Sequence, residues 1–445
     1  PSQMNLREAL QRRGEPDRLS RWLVDPREIL EAAEPPDRSM DAALLADIAV
    51  TLVDERGGQT ELYQGVHKVY TRAGVEQEGE LEVLPGARIQ RIRIHKPDGR
   101  VVDVAPEGKR PISLPGLEPG DAFEYVSHRY TPPLNEVPGA LDNGTIFLFQ
   151  GEDRDYVLSR FVVMHDASLP VEACVNSQGL THRDETEDGW RIRSWTARSM
   201  PRLQPEPHVA DRFDATPHVR LGYGLRWTDV GNAIRDALIG KLRSDPPLPA
   251  LAEEVRQRAG SKEPGALARA LHEVVNRRME PGRRALDLRA PASVAASAGE
   301  GNRLGIALAL AEHLGLEPAL LLARPIEAAG RDLDCPTVFG FPYAMLLLPM
   351  ADGDVYLDYN GADHAFDTIP LQIAGSTGLR VPVEPSRPVE VVDVPRREPP
   401  LLQDQSAEVT LDGEGRVSGR LTIALDGPLA SSTRRMLNEI PKARM

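Results

Sequence analysis

What most restricts the fold of this 445-residue chain is a change of hydrophobic period along it. Between about residues 40 and 222 the period is two. Ile89-Gln90-Arg91-Ile92-Arg93-Ile94 alternates apolar and polar residues, and Leu81-Glu82-Val83-Leu84 follows the same texture. A strand with one buried face requires this alternation. Turn signals separate the runs. Lys96-Pro97-Asp98-Gly99-Arg100 leads into Val101-Val102-Asp103-Val104, and Pro119-Gly120-Asp121 into Ala122-Phe123-Glu124-Tyr125-Val126. Proline presets φ in such turns, and Asp-Gly supplies the reversal. Phe161 to Met164 and Trp190 to Trp195 continue the pattern, with Val66, Val69 and Tyr70 opening it. Many short strands with regular turns predict an antiparallel sandwich or a related open β fold.

From about residue 225 the period lengthens. Val230, Ala233, Ile234, Ala237 and Leu238 stand near helical spacing, which predicts a helix over 230–242. Further helices are expected over 248–258, 266–278 and 304–314, the last ended by Gly315. Three strands follow, over 318–323, 343–348 and 355–358, so this section reads as an α+β domain. A second β section begins near 404, with strands over 407–411 and 417–425 around Asp412-Gly413-Glu414-Gly415, then a helix near 429–439. Two strands and one helix are too little for an independent core. The chain is therefore expected to be part of a longer protein.

At the other end, Leu6, Ala9 and Leu10, then Leu19, Trp22 and Leu23, read as short helical pieces broken at Pro35-Pro36. The predicted organisation is a helical linker or tail of an upstream region (1–39), a β-rich N-terminal domain (40–222), an α+β core (225–382) and the start of a C-terminal β domain (404–445).

Composition removes several functions. Two cysteines, Cys174 and Cys335, cannot build a disulfide framework, a four-cysteine zinc site or an iron–sulfur cluster. A formal net charge of −14 argues against binding a nucleic-acid backbone, which needs clustered cations. The longest apolar runs, such as Leu304 to Ala311, fall well short of the roughly 18 residues that span a bilayer. No His-x-x-x-His or His-Glu-x-x-His occurs, and Asp358, Asp363, His364 and Asp367 read as a solvated acidic loop before a metal site. Gly299-x-Gly301 lacks the lysine and later glycines of a phosphate loop. No metal and no cofactor is expected.

Four pieces of the third section recur in a known order. Gly299-Glu300-Gly301-Asn302-Arg303 opens a helix, and His313-Leu314-Gly315-Leu316-Glu317-Pro318-Ala319 leaves it. Phe341-Pro342-Tyr343-Ala344-Met345-Leu346 and Tyr356-Leu357-Asp358-Tyr359-Asn360 follow. This order resembles the transglutaminase-like core, related in fold to papain-type cysteine enzymes. The preceding section resembles the β-rich domain of unknown function often found before such cores in bacterial envelope proteins. It does so through Pro97-Asp98-Gly99, Pro119-Gly120-Asp121, Phe147-Leu148-Phe149-Gln150, and Pro205-Glu206-Pro207 before Trp227. The last section resembles the β domain that follows the core in the same architecture.

The resemblance implies a Cys–His–Asp triad, with the thiol at a helix N-terminus where the dipole and a nearby His⁺ favour the thiolate. Carried onto this chain, the cysteine position falls on Gly301 and the histidine position on Tyr343, and only Asp358 keeps its residue. Glycine offers no nucleophile, and a tyrosine with a pKa near 10 is a poor base at neutral pH.

Cys335 with His364 and Asp358 or Asp367 is an alternative set. However, Asp332 and Asp334 flank that cysteine, and acidic neighbours raise a thiol pKa. The expected function is thus non-catalytic. The cleft around Gly299, Glu300, Gly301, Asn302, Tyr343, Asp358 and Tyr359 would hold a peptide, a partner segment or a glycan. Within it Tyr343, Tyr359 and Asp358 are expected to form a hydrogen-bonded trio. The alternative is an active cysteine peptidase or transglutaminase using non-standard residues. The resemblance also implies a bacterial periplasm or cell-envelope setting, with a cytoplasmic one as the alternative.

Overall fold

The computed structural model describes residues 18–32, 40–133 except 107 and 109, 146–204, 216–242 except 223, 248–280, 286, 291–328, 333, 336, 340–361, 364–396, 403–425, and 429–437 except 431, 432 and 435. The chain forms two compact units that divide between Leu225 and Arg226. It is multidomain, rich in β structure, and mixed α+β in its second unit.

The first unit contains β1 (Ala42–Val53), β2 (Gln59–Val69), β3 (Glu80–Leu81), β4 (Arg88–His95), β5 (Val101–Asp103), β6 (Ile112–Ser113) and β7 (Ala122–Thr131). It continues with β8 (Ile146–Leu148), β9 (Asp155–Asp166), β10 (Glu172–Asn176), β11 (Thr181–Glu187), β12 (Trp190–Met200) and β13 (His218–Gly222). Eight of these make one sheet in the order β11-β12-β9-β1-β2-β7-β4-β5, and β10-β13-β8 make a second.

The pairing is antiparallel except at the centre, where β1 runs parallel to β9. β1 is buried along nearly its whole length, so apart from Asp47 and Thr51 both its faces are apolar and its sequence shows no alternation. The β run therefore begins more than twenty residues before the first alternating segment.

The small sheet covers part of one face of the large one. Phe149, Val219 and Leu221 pack there with Ala49, Phe161 and Trp195. On another face Ile48, Val50, Leu62, Val162 and Met164 form a core closed by Trp22, Leu23, Ile29 and Leu30. The N-terminal helical segment predicted as a linker is thus, over residues 18–32, a cover on the sheet, with a helix at Pro26–Ala32. A further helix, Arg72–Glu78, has no strong sequence signal, but Thr71 caps it by accepting from the Gly74 amide at 3.2 Å.

The second unit begins with helices Trp227–Leu242, Leu248–Ala259, Pro264–Arg278, Ala292–Ala298 and Arg303–His313. Every residue from Arg303 to Ala311 is buried, so this last helix is the centre of the unit. Gly315 closes it at φ +76°, with the Leu316 amide reaching back to Ala311 and the Gly315 amide to Glu312. That is the paired bonding of a glycine-ended helix.

Strands β14 (Ala319–Ala323), β15 (Tyr343–Leu348), β16 (Val355–Leu357), β17 (Thr377–Pro382) and β18 (Glu390–Asp393) form an antiparallel sheet in the order β16-β15-β14-β17-β18. Leu321, Met345, Leu347 and Tyr356 fill one side with Ile369 and Ile373. The alternate residues Leu320, Leu346 and Leu357 are equally buried.

The remaining pair, β19 (Gln403–Leu411) and β20 (Val417–Leu425), is a solvent-exposed hairpin. The helix expected over 429–439 falls only partly on described residues. Among the described residues no helix is long and apolar enough to cross a membrane.

Candidate functional site

The central helix starts from a tightly wound backbone. Gly299 and Gly301 have φ of +73° and +71°, and Asn302 has +35°. Glycine takes this left-handed region without cost, and asparagine tolerates it better than most residues. The Glu280 amide donates to the Gly299 carbonyl at 2.9 Å, and the Gly301 amide to the Glu280 carbonyl at 3.2 Å. These bonds tie the turn to the end of helix Pro264–Arg278. Among the described residues no atom lies within 4 Å of where a Cβ on Gly301 would stand. Among the described residues, Tyr343 included, nothing fills the position. Asn302 is buried with its side chain against Gly305, where an added Cβ would meet Oδ1 at 2.5 Å.

Asp358 lies just beyond β16 and is 1 % exposed. Oδ1 accepts from the Asn360 amide at 2.8 Å and from Asn360 Nδ2 at 2.7 Å. Oδ2 accepts from the Tyr343 hydroxyl at 2.6 Å and lies 3.4 Å from His364 Nδ1. A buried carboxylate needs such compensation, and this one has it on both oxygens. Asn360 Nδ2 also reaches the Ala344 carbonyl at 2.9 Å, which pins the loop to β15.

Behind the carboxylate is a second polar cluster. Arg303 is 1 % exposed, and its Nη1 donates to the Gly361 carbonyl at 2.9 Å. Its Nη2 donates to Asn276 Oδ1, and the guanidinium stands 5.9 Å from the Tyr359 ring centre. His272 Nε2 is 3.0 Å from the His364 carbonyl and from Asn276 Nδ2. Burial pushes the His272 pKa down, and the Arg303 charge adds to this against the pull of the His364 carbonyl. Burial likewise pushes the Tyr359 hydroxyl well above its usual range.

Two of the three expected partners therefore meet, and the third does not. Tyr343 and Asp358 are bonded. Tyr359 is turned into the core beside His272 and Arg303, and its hydroxyl has no partner among the described residues. The reason is chain direction: leaving the strand, successive side chains point to opposite sides. Asn360 and His364 occupy the places around Asp358 that Tyr359 was expected to share. Glu300 is exposed, whereas Gly299, Gly301 and Tyr343 are half-buried.

Among the described residues no group of three His, Cys, Asp or Glu side chains could hold a metal ion. Asp367 instead accepts from the Tyr356 amide at 3.0 Å. Cys335 and Asp363 lie outside the described residues, and Cys174 stands in β10 opposite Arg220. The Asx-type spacing of Asp358 and Asn360 was a usable sequence signal, while Arg303, Asn276 and His272 carry none.

No family model matches the chain, and no curated protein does. Among solved structures it is similar to a candidate protease from Parabacteroides distasonis. The identity is 13%, the TM-score is 0.59, and the match covers 80% of this chain and 72% of that one. At that identity the likeness bears on the fold alone. The M1 zinc metallopeptidase of Deinococcus radiodurans matches at 13% identity over 42% of this chain and 46% of its own, with a TM-score of 0.22.

Proposed function

We propose that the second unit is a transglutaminase-like core without thiol chemistry, serving as a binding or scaffold module that holds a peptide, a partner segment or a glycan. The observation that carries this reading is the state of the two altered triad positions. Gly301 supplies no nucleophile, and its left-handed backbone resists a side chain there. The Tyr343 hydroxyl is engaged by Asp358 at 2.6 Å. That no described atom fills the position beside Gly301 supports ligand binding over a purely structural spacer. A bacterial envelope setting belongs to this proposal through the resemblance alone.

The test is a thiol-directed electrophile and a panel of fluorogenic peptides applied to the intact chain. The proposal expects cysteine labelling no faster than that of a simple thiol, and no turnover. One observation favours a second reading: the His364–Asp358 contact at 3.4 Å could orient a base. That reading requires peptide turnover that His364→Ala abolishes.

A further inference from the structure

The first unit holds a groove on its large sheet, independent of the proposal for the helical unit. It encloses about 590 Å³. An adjoining space of about 450 Å³ shares Tyr63, Tyr125 and Glu82 with it.

A single row across four strands lies behind the groove's tyrosine wall. Ser159 on β9 pairs with Asp47 on β1, Asp47 with Gly65 on β2, and Gly65 with Tyr125 on β7. Gly65 is required because the Tyr125 ring lies over it; a Cβ there would come within 2.6 Å of Tyr125 Cε1. Tyr63 and Tyr125 sit 5.4 Å apart, ring to ring, and Tyr156 completes three half-buried phenols on the wall. Below them Asp47 accepts from Tyr63 at 2.8 Å and from Ser159 at 2.8 Å. Burial pushes the Asp47 pKa up to about 6.

The charge of the walls is one-sided. Glu76, Glu78, Glu80, Glu82 and Asp153 line the groove with one guanidinium, Arg154, and Glu76 also pairs with Arg72 at 3.4 Å. That guanidinium is already held by Glu78 at 2.5 Å and by Asp153. Glu76, Glu80 and Glu82 are exposed at the rim. Their field would concentrate a cation in the groove.

A histidine stands beside these carboxylates. The His67 side chain is 9 % exposed, lies against Phe123 at 4.6 Å and lines the groove. Its Nδ1 faces Glu78 at 3.1 Å and Arg154 at 3.1 Å, while Nε2 has no partner among the described residues. Nε2 is buried over Gly65 beside the Tyr125 ring, 3.1 Å from where a Cβ would be.

We propose that this groove binds an extended peptide segment of a partner protein that carries lysine or arginine, with the cationic side chain lodged between the tyrosine rings and the carboxylates. Aromatic faces attract cations, and the adjoining space beside Val83, Leu84 and Pro85 takes the neighbouring residue. A neutral glycan would use the rings but not the carboxylate excess.

Fluorescence anisotropy with the intact chain tests this. The probes are a labelled heptapeptide alternating Gly and Lys, its Gly–Gln counterpart, and a labelled neutral oligosaccharide. The Lys peptide should bind more tightly than the Gln peptide, and added salt should weaken it. Combining Glu76→Gln, Glu80→Gln and Glu82→Gln should lower its affinity on the order of tenfold. Asp404→Asn, Glu408→Gln and Glu414→Gln, the same charge change on the exposed hairpin, should leave it unchanged. Equal binding of the two peptides, equal loss in both triple variants, or binding of the oligosaccharide alone would overturn the proposal.

Discussion

Each unit places a tyrosine hydroxyl on a buried aspartate, Tyr63 on Asp47 at 2.8 Å and Tyr343 on Asp358 at 2.6 Å. The company of the two pairs differs. Asp47 sits in mid-strand and receives only two neutral hydroxyls, from Tyr63 and Ser159. Burial outweighs them, and the carboxyl rises to about 6. Asp358 sits where the chain leaves a strand. It can therefore collect a backbone amide, a carboxamide, a hydroxyl and a histidine contact. The same residue pair is thus a poorly compensated charge on a sheet and the anchor of a loop at a strand end.

The largest expected effect is on Asp358. Asp358→Ala leaves Tyr343 and the Asn360 amide without their acceptor. It should destabilise the second unit by about 3 kcal/mol or more. Trp227, buried against Phe341 in that unit, reports the transition in a urea titration. A loss below about 1 kcal/mol would show that Asp358 is not the anchor it is taken to be.

Asp47 should behave in the opposite sense. Its folded pKa of about 6 lies above the ordinary 3.8, so the folded state holds the proton more tightly. The associated stability is full below pH 3.8 and is lost as pH rises through 6. Asp47→Asn keeps the bonding shape and removes the charge. Relative to the parent it should stabilise the first unit by up to about 3 kcal/mol at pH 8 and by little at pH 4. A gain that does not depend on pH would point to packing instead.

His272 sharpens the contrast, because burial depresses its pKa. The unfolded chain then binds the proton more readily. Stability is present above pH 6.5 and falls as pH drops through the folded pKa. Melting followed at Trp227 should therefore weaken between pH 7 and 5, and His272→Gln should flatten that slope.

The smallest effect is expected at Gly301. Alanine there meets no described atom but must adopt φ near +71°, a cost of about 1 kcal/mol. A neutral outcome in calorimetry would mean that the turn relaxes.

The legible parts of the fold were those whose residue pattern or bounding turns stand out locally. β4, β20 and the helices over 248–278 announce their period in the sequence, and β5 and β15 stand out as short apolar runs beside turn residues. β1 does not, since a strand buried on both sides shows a continuous apolar run. Helix Ala292–Ala298 is a run of small residues without periodicity, so spacing could not reveal it.

At the site, residue order placed Tyr343 and Asp358 correctly as neighbours. It could not place Tyr359, because the side of the backbone a residue faces after a strand depends on the following turn. His364 meets Asp358 only in the folded chain, and Asn276 and the Gly361 carbonyl receive the buried Arg303. These are tertiary facts with no local signature.

Central to the account is that the helix start carries no working nucleophile. The most direct measurement is a time course of the intact chain with an acyl-donor peptide and a labelled amine, read by mass spectrometry for acyl-enzyme and product. The account predicts neither species, for the parent chain and for Cys174→Ser alike. A stoichiometric acyl adduct on any residue, followed by amine-dependent turnover, would contradict it.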